Sequence, residues 1–588
     1  MRFLILIGAL LLLTADMAVA RESLAYRTVL SGVEQGDLRH AIAQQSWLMS
    51  LQDRPPPDLL ALRRRADDDR GRILSVLRAW GYYAGTVHIA VNGAPRPAAV
   101  AIRVDPGPLF RLGAYEIQYE GPGRLPPPPV LSVLGLARGD PAATRSVIAA
   151  QQVLLHYLAE RGYPLARVAS RRVVVDMENH RMRVHLVVAL DREARFGPVT
   201  ITGLKHVDER WVRNRIPWRP GQRFSIGAVE TLRKRLLDSR LFSSVRISTA
   251  KKVLADGALP VALDVTEAKP HSIGFGGSWS STEGLGGEAF WEDRNLWGGA
   301  QRLRAKVAGS QTRNAVELDL TLPDVLRRDQ DLISAVKAET QRTSAFISQT
   351  EGGSVGLSRM LGLNWRISLS AAYERTLETQ IGAHYNVSLF SLPLELRHDS
   401  SNNPLDPTAG DRITLTAQPY FSLIGNHTAF QRLDLYATKY VKVWDAPRVV
   451  LAGWTRDGTI LGASDFAVPP DKRLYVGGAG SVRGFGYQMA GPVTDGGTPL
   501  GGDSAVAFGG EIRMRATRTV GVVPFIEAGR AYATSAPDFH LPLFSGAGIG
   551  LRYYTPVGPV RADLAFPLDP RSGIDKRFQI YLSLGQAF

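Results

Sequence analysis

Apolar side chains in the first half of the chain recur at helical spacing, in three segments separated by about 80 residues, a period typical of a tandem repeat. Each of the three predicted amphipathic helices is followed by two predicted strands. The apolar faces of these helices consist of Ile73, Leu77 and Trp80, of Val147, Ala150, Leu154 and Leu158, and of Val229, Leu232 and Leu236. The repeat predicts three small α+β modules, at residues 21–105, 106–190 and 191–268.

From residue 271 onward the spacing changes to strict alternation. In residues 316–322, valine and leucine side chains occupy one face, and Glu317, Asp319 and Thr321 occupy the other. A soluble β-sandwich or propeller also alternates, but the many charges on the polar faces favour a water-filled lumen. At roughly 20 residues per strand and connection, residues 269–588 predict a transmembrane antiparallel β-barrel of about 16 strands.

The N-terminus indicates where the protein resides. Residues 1–20 combine Arg2, an apolar run and an Ala-Val-Ala cleavage site, the features of a secretory signal peptide. No later apolar run is long enough for a helical membrane span. The chain contains no Cys, so disulfides and thiolate chemistry are excluded. We therefore expect a protein of the Gram-negative cell outer membrane, with its N-terminal domains in the periplasm.

Basic residues are concentrated in the predicted modules. Residues 21–270 contain 38 basic and 24 acidic residues, whereas residues 271–588 contain 31 and 30. A secreted protein has no access to nucleic acid, so no nucleic-acid partner is expected. The basic surface is either simply solvated or faces the anionic headgroups of outer-membrane lipid. The candidate headgroup contacts in the third module are Arg210, Arg213, Arg215, Arg219, Arg233, Lys234 and Arg235.

Enzyme motifs give no support for catalysis. Residues 352–356 match the G-x-S-x-G pattern of a nucleophile elbow, but they lie among predicted barrel strands and lack a strand–turn–helix context. The chain has no phosphate-binding loop and no metal-ligand spacing among its 11 His. We predict no enzymatic activity, no cofactor and no metal.

Three ordered motifs in the predicted barrel carry a family resemblance. Residues 477–485 read GGAGSVRGF, residues 403–410 read NPLDPTAG, and residues 554–561 read YTPVGPVR. These resemble the VRGF loop, the mid-barrel NPLxPTxG hairpin and the penultimate-strand TPxGPxR segment of the BamA/TamA outer-membrane assembly superfamily. The tandem modules resemble the POTRA domains of that superfamily. Three such modules before one barrel are more similar to TamA than to BamA, which carries five.

The resemblance implies a role for the loop residues Val482, Arg483, Gly484 and Phe485. In the family this loop folds into the lumen, and its arginine pairs with acidic residues on nearby strands. The matching positions here are Glu511 and Glu527. The family more often has Asp where Glu527 stands.

A weak lateral seam is a second expectation. Glycine lacks a side chain to pack, so the first barrel strand, with three Gly, is predicted to be weak. We expect it to close the barrel against the last strand and to open sideways, as the resemblance implies. The alternative is that these glycines only accommodate curvature or an aromatic neighbour. The predicted seam residues are Gly274, Phe275, Gly276, Gly277, Phe578, Ile580, Leu582, Leu584 and Phe588.

The resemblance further implies an assembly factor similar to the TamA subunit of the translocation and assembly module. Such a protein assists insertion or secretion of β-barrel clients such as autotransporters through the seam. It also implies an inner-membrane-anchored partner of the TamB type. Two alternatives remain at this point: a two-partner secretion pore that exports a client through the lumen, and a passive porin.

Overall fold

The fold is seen in a computed structural model that describes residues 23–94, 96–122, 125–424, 429–463, 467–556 and 558–584. The predicted signal peptide and the predicted seam residue Phe588 lie outside these ranges. Among the described residues, no helix is both long and apolar enough to cross a bilayer. By contacts the chain divides into two compact units. One unit holds most of the N-terminal modules, and the other holds residues 264–588 together with residues 201–216 and 234–246.

Three small α+β modules form the N-terminal part, as the repeat predicts. The first contains β1 (Tyr26–Ser31), α1 (Gly36–Gln45), α2 (Trp47–Ser50), α3 (Leu59–Ala79), β2 (Thr86–Asn92) and β3 (Ala98–Asp105). The second contains β4 (Arg111–Glu120), a 3₁₀ turn (Leu131–Leu134), α4 (Thr144–Glu160), β5 (Arg167–Asp176) and β6 (Arg181–Ala189). The third contains β7 (Arg195–Thr202), α5 (Glu209–Arg213), α6 (Ile226–Asp238), β8 (Phe242–Thr249) and β9 (Ala258–Glu267).

Every module has the same three-stranded sheet. The last strand of the module lies in the centre, the opening strand lies on one side of it, and the middle strand forms the other edge. In the first two modules the opening strand runs parallel to the central one. The apolar stripe of each predicted helix packs into the core, as Leu77, Leu154 and Leu232 show by their complete burial. The opening strand of the first module, β1, has no sequence signal that we recognised.

The remaining strands form one closed antiparallel barrel. Its strands are β10 (His271–Ser280), β11 (Gly284–Asp293), β12 (Arg302–Ser310), β13 (Arg313–Leu322), β14 (Gln330–Arg342), β15 (Ile347–Leu361), β16 (Trp365–Gln380), β17 (Ala383–Ser391), β18 (Leu394–Asp399), β19 (Gly410–Ile424), β20 (Ala429–Asp445), β21 (Arg448–Leu461), β22 (Ser504–Arg515), β23 (Val520–Tyr532), β24 (Phe544–Thr555), β25 (Gly558–Pro567) and β26 (Gln579–Leu584). Segments β17 and β18 both pair with β16 and β19, so they are two parts of one strand. The barrel therefore has 16 strands, which confirms the predicted number.

Cross-strand neighbours separate the two faces of the wall. Lys306 lies opposite Glu317 and Arg304 opposite Asp319, so opposite charges meet on the lumen face. On the other face Val307 lies opposite Val316, and both are exposed. The observed register thus places the apolar positions on the outside, where a bilayer replaces water.

The end of the third module holds a carboxylate against backbone donors. The backbone N–H groups of Lys205, His206 and Val207 all donate to Glu267, at 2.7 to 2.9 Å from Oε1. Burial alone would raise the pKa of the Glu267 carboxyl, but these donors favour its charged form and the net result is a pKa lowered to about 2. In the same loop, the Asp208 N–H donates to the Gly298 carbonyl, which belongs to a turn of the barrel.

This carboxylate predicts an acid-sensitive loop. A carboxyl with a depressed pKa stabilises the fold above its ordinary value of 4.5, and that contribution disappears as the pH falls toward 2. We expect amide protection of residues 205–207 to fall over this interval. Glu267→Gln should lower the local stability by about 1 to 2 kcal/mol at neutral pH and remove the acid transition. Hydrogen exchange measures both. Glu230→Gln, at an exposed glutamate of α6, is the control, and an unchanged acid profile in Glu267→Gln would contradict the assignment.

Candidate functional site: the lumen loop and the barrel seam

The long connection between β21 and β22 packs against the inner wall of the barrel. Its side chains Val468, Val476, Val482, Phe485 and Ala490 are buried. They form one apolar cluster with wall residues that include Tyr420, Phe430, Trp454 and Ile460. We call residues 467–503 the lumen loop. Its backbone conformation is fixed by this packing and by the ion pairs described next.

Arg483 is the centre of a buried charge cluster. Its Nη2 lies 2.8 Å from Glu511 Oε1, its Nε donates to Glu527 Oε1 at 2.8 Å, and its Nη1 donates to Asp563 Oδ2 at 2.7 Å. The guanidinium also lies over the ring of Phe525, 3.5 Å from the centroid. The arginine and its three carboxylates are fully or almost fully buried. The structure therefore brings together the two glutamates that the motif suggested, and it adds a third acid.

The neighbours of Arg483 in the motif fix its position by packing. Val482 and Phe485 have no exposed surface, and the Phe485 ring meets the edge of Phe544 at a centroid distance of 5.2 Å. A Cβ on Gly484 would lie 2.7 Å from the Phe566 carbonyl oxygen, 2.9 Å from the carbonyl carbon and 3.0 Å from the Pro567 nitrogen. Only glycine lets the loop backbone approach β25 this closely.

The cluster extends to residues that the sequence analysis did not select. Asp563 accepts from Arg552 Nη1 at 2.5 Å, and Arg561 Nε lies 3.0 Å from the same carboxylate. Arg513 donates to Glu511 at 2.9 Å. Their signal was present, because the alternation near the C-terminus places Arg561 and Asp563 on the polar face. The alternation did not show which of the many charged side chains in the lumen contact one another.

A second contact holds the other end of the lumen loop. Lys472 Nζ lies 2.6 Å from Glu374 Oε1 on β16, and Arg473 Nη1 donates to Gln380 Oε1 at 3.0 Å. The Lys472 carbonyl in turn accepts from Arg432 of β20 at 3.1 Å. The loop is thus tied both to the middle strands of the barrel and, through Arg483, to its last strands.

The barrel closes through a short seam. Between β10 and β26 the described residues form three residue pairs: Ser278 with Ser583, Trp279 with Leu582, and Ser280 with Tyr581. Neighbouring strands are joined by many more; β10 and β11, for example, share ten pairs. The Tyr581 hydroxyl donates to the Arg483 carbonyl at 2.9 Å, so the lumen loop is bonded directly to a seam residue.

The observed register corrects part of the predicted seam. Phe275 does not oppose Leu582, since Leu582 pairs with Trp279, four residues further along β10. Phe578 precedes β26 and is not in the strand. Ile580 does lie at the seam, because its carbonyl accepts the Ser281 N–H at 2.9 Å, and on its other side it pairs with Leu564 of β25. Leu584 pairs with Val560 of β25. These shifts arise because closure pairs residues about 300 positions apart, where local alternation fixes the facing of a side chain but not its partner.

The seam glycines divide into two kinds. A Cβ on Gly274 would lie 2.2 Å from the Phe290 ring, so this glycine makes room for an aromatic neighbour. A Cβ on Gly277 would lie 4.0 Å from the Gly286 carbonyl oxygen, and one on Gly287 would lie 3.7 Å from the Gly276 carbonyl oxygen. Packing therefore explains Gly274, but it does not require glycine at the opposed pair Gly277 and Gly287.

The NPLDPTAG turn reaches the space behind the seam. Asp406 pairs with Arg448 at 2.7 Å, and Asn403 Oδ1 accepts the backbone N–H groups of Leu405 and Asp406. Leu405 lines a cavity of about 450 Å³ together with seam-side residues of β10, β11, β12 and β26. A second cavity, of about 370 Å³, adjoins it near Arg561 and Tyr581. Space therefore lies beside much of the seam, whereas Tyr581 is buried in a cluster with Phe525 and Ala565.

The residues of the G-x-S-x-G match have another setting. Ser354 lies in the middle of β15, paired with Ala335 and Ala372 of the adjacent strands. This is continuous barrel wall rather than a strand–turn–helix elbow. The part of the chain that the structure describes contains no group of three or more His, Cys, Asp or Glu arranged to hold a metal ion.

Comparisons with known proteins agree with this architecture. The Omp85 superfamily domain matches residues 295–588, and a POTRA repeat, described as a surface antigen variable number repeat, matches residues 194–268. The chain is 24% identical over 612 residues to the outer membrane protein assembly factor BamA of Nitratidesulfovibrio vulgaris, covering 97% of this chain and 76% of that protein. It is 22% identical over 375 residues to a SAM50-like protein of Schizosaccharomyces pombe, covering 58% and 78%.

Solved structures show the same fold. BamA of Haemophilus ducreyi lacking POTRA domains 1–3 superposes with a TM-score of 0.65 at 18% identity, covering 81% of this chain and all of that one. CdiB of Acinetobacter baumannii superposes with a TM-score of 0.50 at 14% identity, covering 81% and 90%. At these identities the likeness concerns the fold alone.

Proposed function

Because the chain belongs to the Omp85 superfamily, we propose that it is an outer-membrane assembly factor that helps β-barrel proteins insert through its lateral seam. The observation that carries the proposal is the seam itself. Three residue pairs close it in the part of β26 that the structure describes, cavities lie beside it, and Tyr581 bonds it to the lumen loop. Unpaired backbone groups at an opened edge would template an incoming strand by main-chain hydrogen bonding.

The assistance is kinetic. A client strand in hydrocarbon must pair all its backbone groups, and an edge that offers partners lowers the cost of the unpaired state. Among the described residues, β10 and β26 form three residue pairs, fewer than the six that join β25 and β26, so this boundary is the one that opens with the fewest ladder pairs lost. No covalent step is involved, so we assign the chain no enzymatic activity and no cofactor.

We infer further that the role is that of the TamA subunit. Three modules precede the barrel, and the clients would be barrel proteins such as autotransporters. The modules would lie in the periplasm, where a TamB-like protein anchored in the inner membrane engages them. Each sheet has two edge strands, the opening strand and the middle strand, and main-chain pairing with a partner would use an edge of this kind, such as β2, β5 or β8.

The two other functions fit less well. A two-partner secretion pore exports its client through the lumen, and here the lumen loop is tied to both sides of the wall. A passive porin needs an open channel. The buried charge cluster around Arg483 would have no function in such a channel. A large steady conductance in single-channel recordings would favour the porin.

The test is assembly of a client in a purified system. We expect vesicles that carry this protein to accelerate the folding of a urea-unfolded autotransporter barrel, followed by its shift on unheated gels and its protease resistance. The control is vesicles with a plain porin at the same protein-to-lipid ratio, because any barrel perturbs the bilayer. Equal folding rates in the two preparations would contradict the proposal.

A further inference from the structure

We propose that three consecutive turns at the end of the barrel where β10 begins form a lipid-contacting rim, whose apolar tips enter the headgroup layer of the membrane. The turns are residues 294–301, 323–329 and 362–364, which connect β11 to β12, β13 to β14 and β15 to β16. Each presents a large apolar side chain: Trp297 is 66% exposed, Leu326 is 84% exposed and Leu363 is 92% exposed. The inference concerns the membrane contact of the barrel and does not depend on client assembly.

The middle turn holds its leucine outward at a conformational cost. Asp324, Leu326 and Asp329 all have left-handed backbone angles, with φ of 59°, 64° and 61°. Residues other than glycine rarely adopt this region, and a leucine there needs surroundings that enforce it. Asp324 supplies them, because its Oδ1 accepts the Asp329 N–H at 3.0 Å and its Oδ2 pairs with Arg215.

The rim continues the lipid-facing surface of the wall. Val316 and Leu318 are exposed on β13, in the alternation that leads to the turn carrying Leu326. Leu361 and Trp365 are likewise exposed on either side of Leu363. An apolar tip that extends such a surface at its edge meets the boundary between acyl chains and headgroups.

Basic residues accompany the tips. Arg327 and Arg328 follow Leu326 directly and are exposed. Arg359 lies opposite Gln330 at the same end of the wall. Guanidinium groups beside an apolar side chain match a phospholipid, since the phosphate accepts their hydrogen bonds while the leucine enters the acyl region. A periplasmic protein partner would not require this pairing of apolar tips with the lipid-facing strands.

The rim is also bonded to a segment of the third module. Arg215, one of the seven basic residues considered for headgroup binding, is instead committed to Asp324 and stacks on Trp211 at 3.8 Å. Arg328 Nη2 donates to the Arg215 carbonyl at 3.2 Å. The rim turn and the segment after α5 therefore form one bonded assembly.

Two turns on the opposite side of the barrel wall carry no such apolar tip. Residues 446–447 are Ala and Pro, and residues 516–519 are Ala, Thr, Arg and Thr. Neither of these described turns presents a large exposed apolar side chain. Trp444, which is 64% exposed, lies just before the first of these turns, so the turn at 516–519 is the one that provides a matched control position.

Spin-label accessibility tests the proposal. Because the chain has no native Cys, each single-cysteine variant carries one labelling site. Leu326→Cys and Leu363→Cys would be labelled with a nitroxide in the whole protein, in vesicles of phosphatidylethanolamine with a minority of phosphatidylglycerol. Val336→Cys, on the lipid face of β14, and Ala516→Cys are the membrane and water references. Each variant is first checked for the gel shift of a folded barrel.

We expect the ratio of oxygen to nickel-chelate collisions at 326 and 363 to exceed that at 516 several-fold and to approach that at 336, because oxygen concentrates in the apolar part of the membrane whereas the nickel chelate stays in water. Ratios at both positions equal to that at 516 would overturn the proposal. Such tips would face water and be open to a protein partner instead. Replacing Arg327 and Arg328 by Gln should lower the ratio at 326 in these vesicles, whereas no change would remove the phosphate contact from the proposal.

Discussion

Replacing Arg483 by alanine is expected to destabilise the barrel by about 3–5 kcal/mol, the range found when one partner of a buried ion pair is removed. The reason is specific to Glu527. Glu511 and Asp563 retain Arg513 and Arg552 as partners, but the ion pairs of the described cluster give Glu527 no other arginine. The variant would leave this carboxylate buried without a counter-charge. The measurement is the temperature at which the folded barrel loses its gel shift in detergent.

Two further variants test whether the loss of stability comes from the unpaired charge of Glu527. Arg483→Ala combined with Glu527→Gln should recover part of the lost stability, because the orphaned charge is gone. Arg366→Ala, at a half-exposed arginine 3.6 Å from Asp331, should cost less than about 1 kcal/mol. Equal effects of Arg483→Ala and Arg366→Ala would show that the cluster is not what holds the loop.

Locking the seam is expected to abolish client insertion. Ser278→Cys and Ser583→Cys replace two serines that are directly opposed across β10 and β26, so their Cβ atoms lie within reach of a disulfide. Because lateral opening must separate this pair, the oxidised protein should lose insertion in cells and regain it on reduction. The outcome is read as the surface level of an autotransporter client before and after reduction.

The barrel offers a matched control for this variant. Ser358 and Ser368 are likewise directly opposed, on β15 and β16, and their hydroxyls are hydrogen-bonded at 3.0 Å. A disulfide there crosslinks two strands away from the seam and should leave insertion unchanged. Full activity of the oxidised seam variant would exclude lateral opening and shift attention to the modules or to the lumen.

The sequence by itself determined the architecture, because the signals are local and periodic. Helical stripes such as Val229, Leu232 and Leu236 mark the buried face of each module helix, and period-two alternation marks the barrel wall. The strand number followed from segment length. The resemblance of residues 477–485 to the VRGF loop of the family implied a loop in the lumen and a contact of its arginine with Glu511 and Glu527.

The tertiary structure alone decided which residues meet. Asp563 joins Arg483, Lys472 joins Glu374, and Ser278 lies opposite Ser583 across the seam. Alternation fixes the face on which a side chain stands, but the shear of a closed barrel fixes its neighbours across the closure. The lumen also holds many charges of both signs, and only the path of a folded loop selects the partners of one arginine. Local pattern therefore specifies the elements, whereas long-range packing specifies the site.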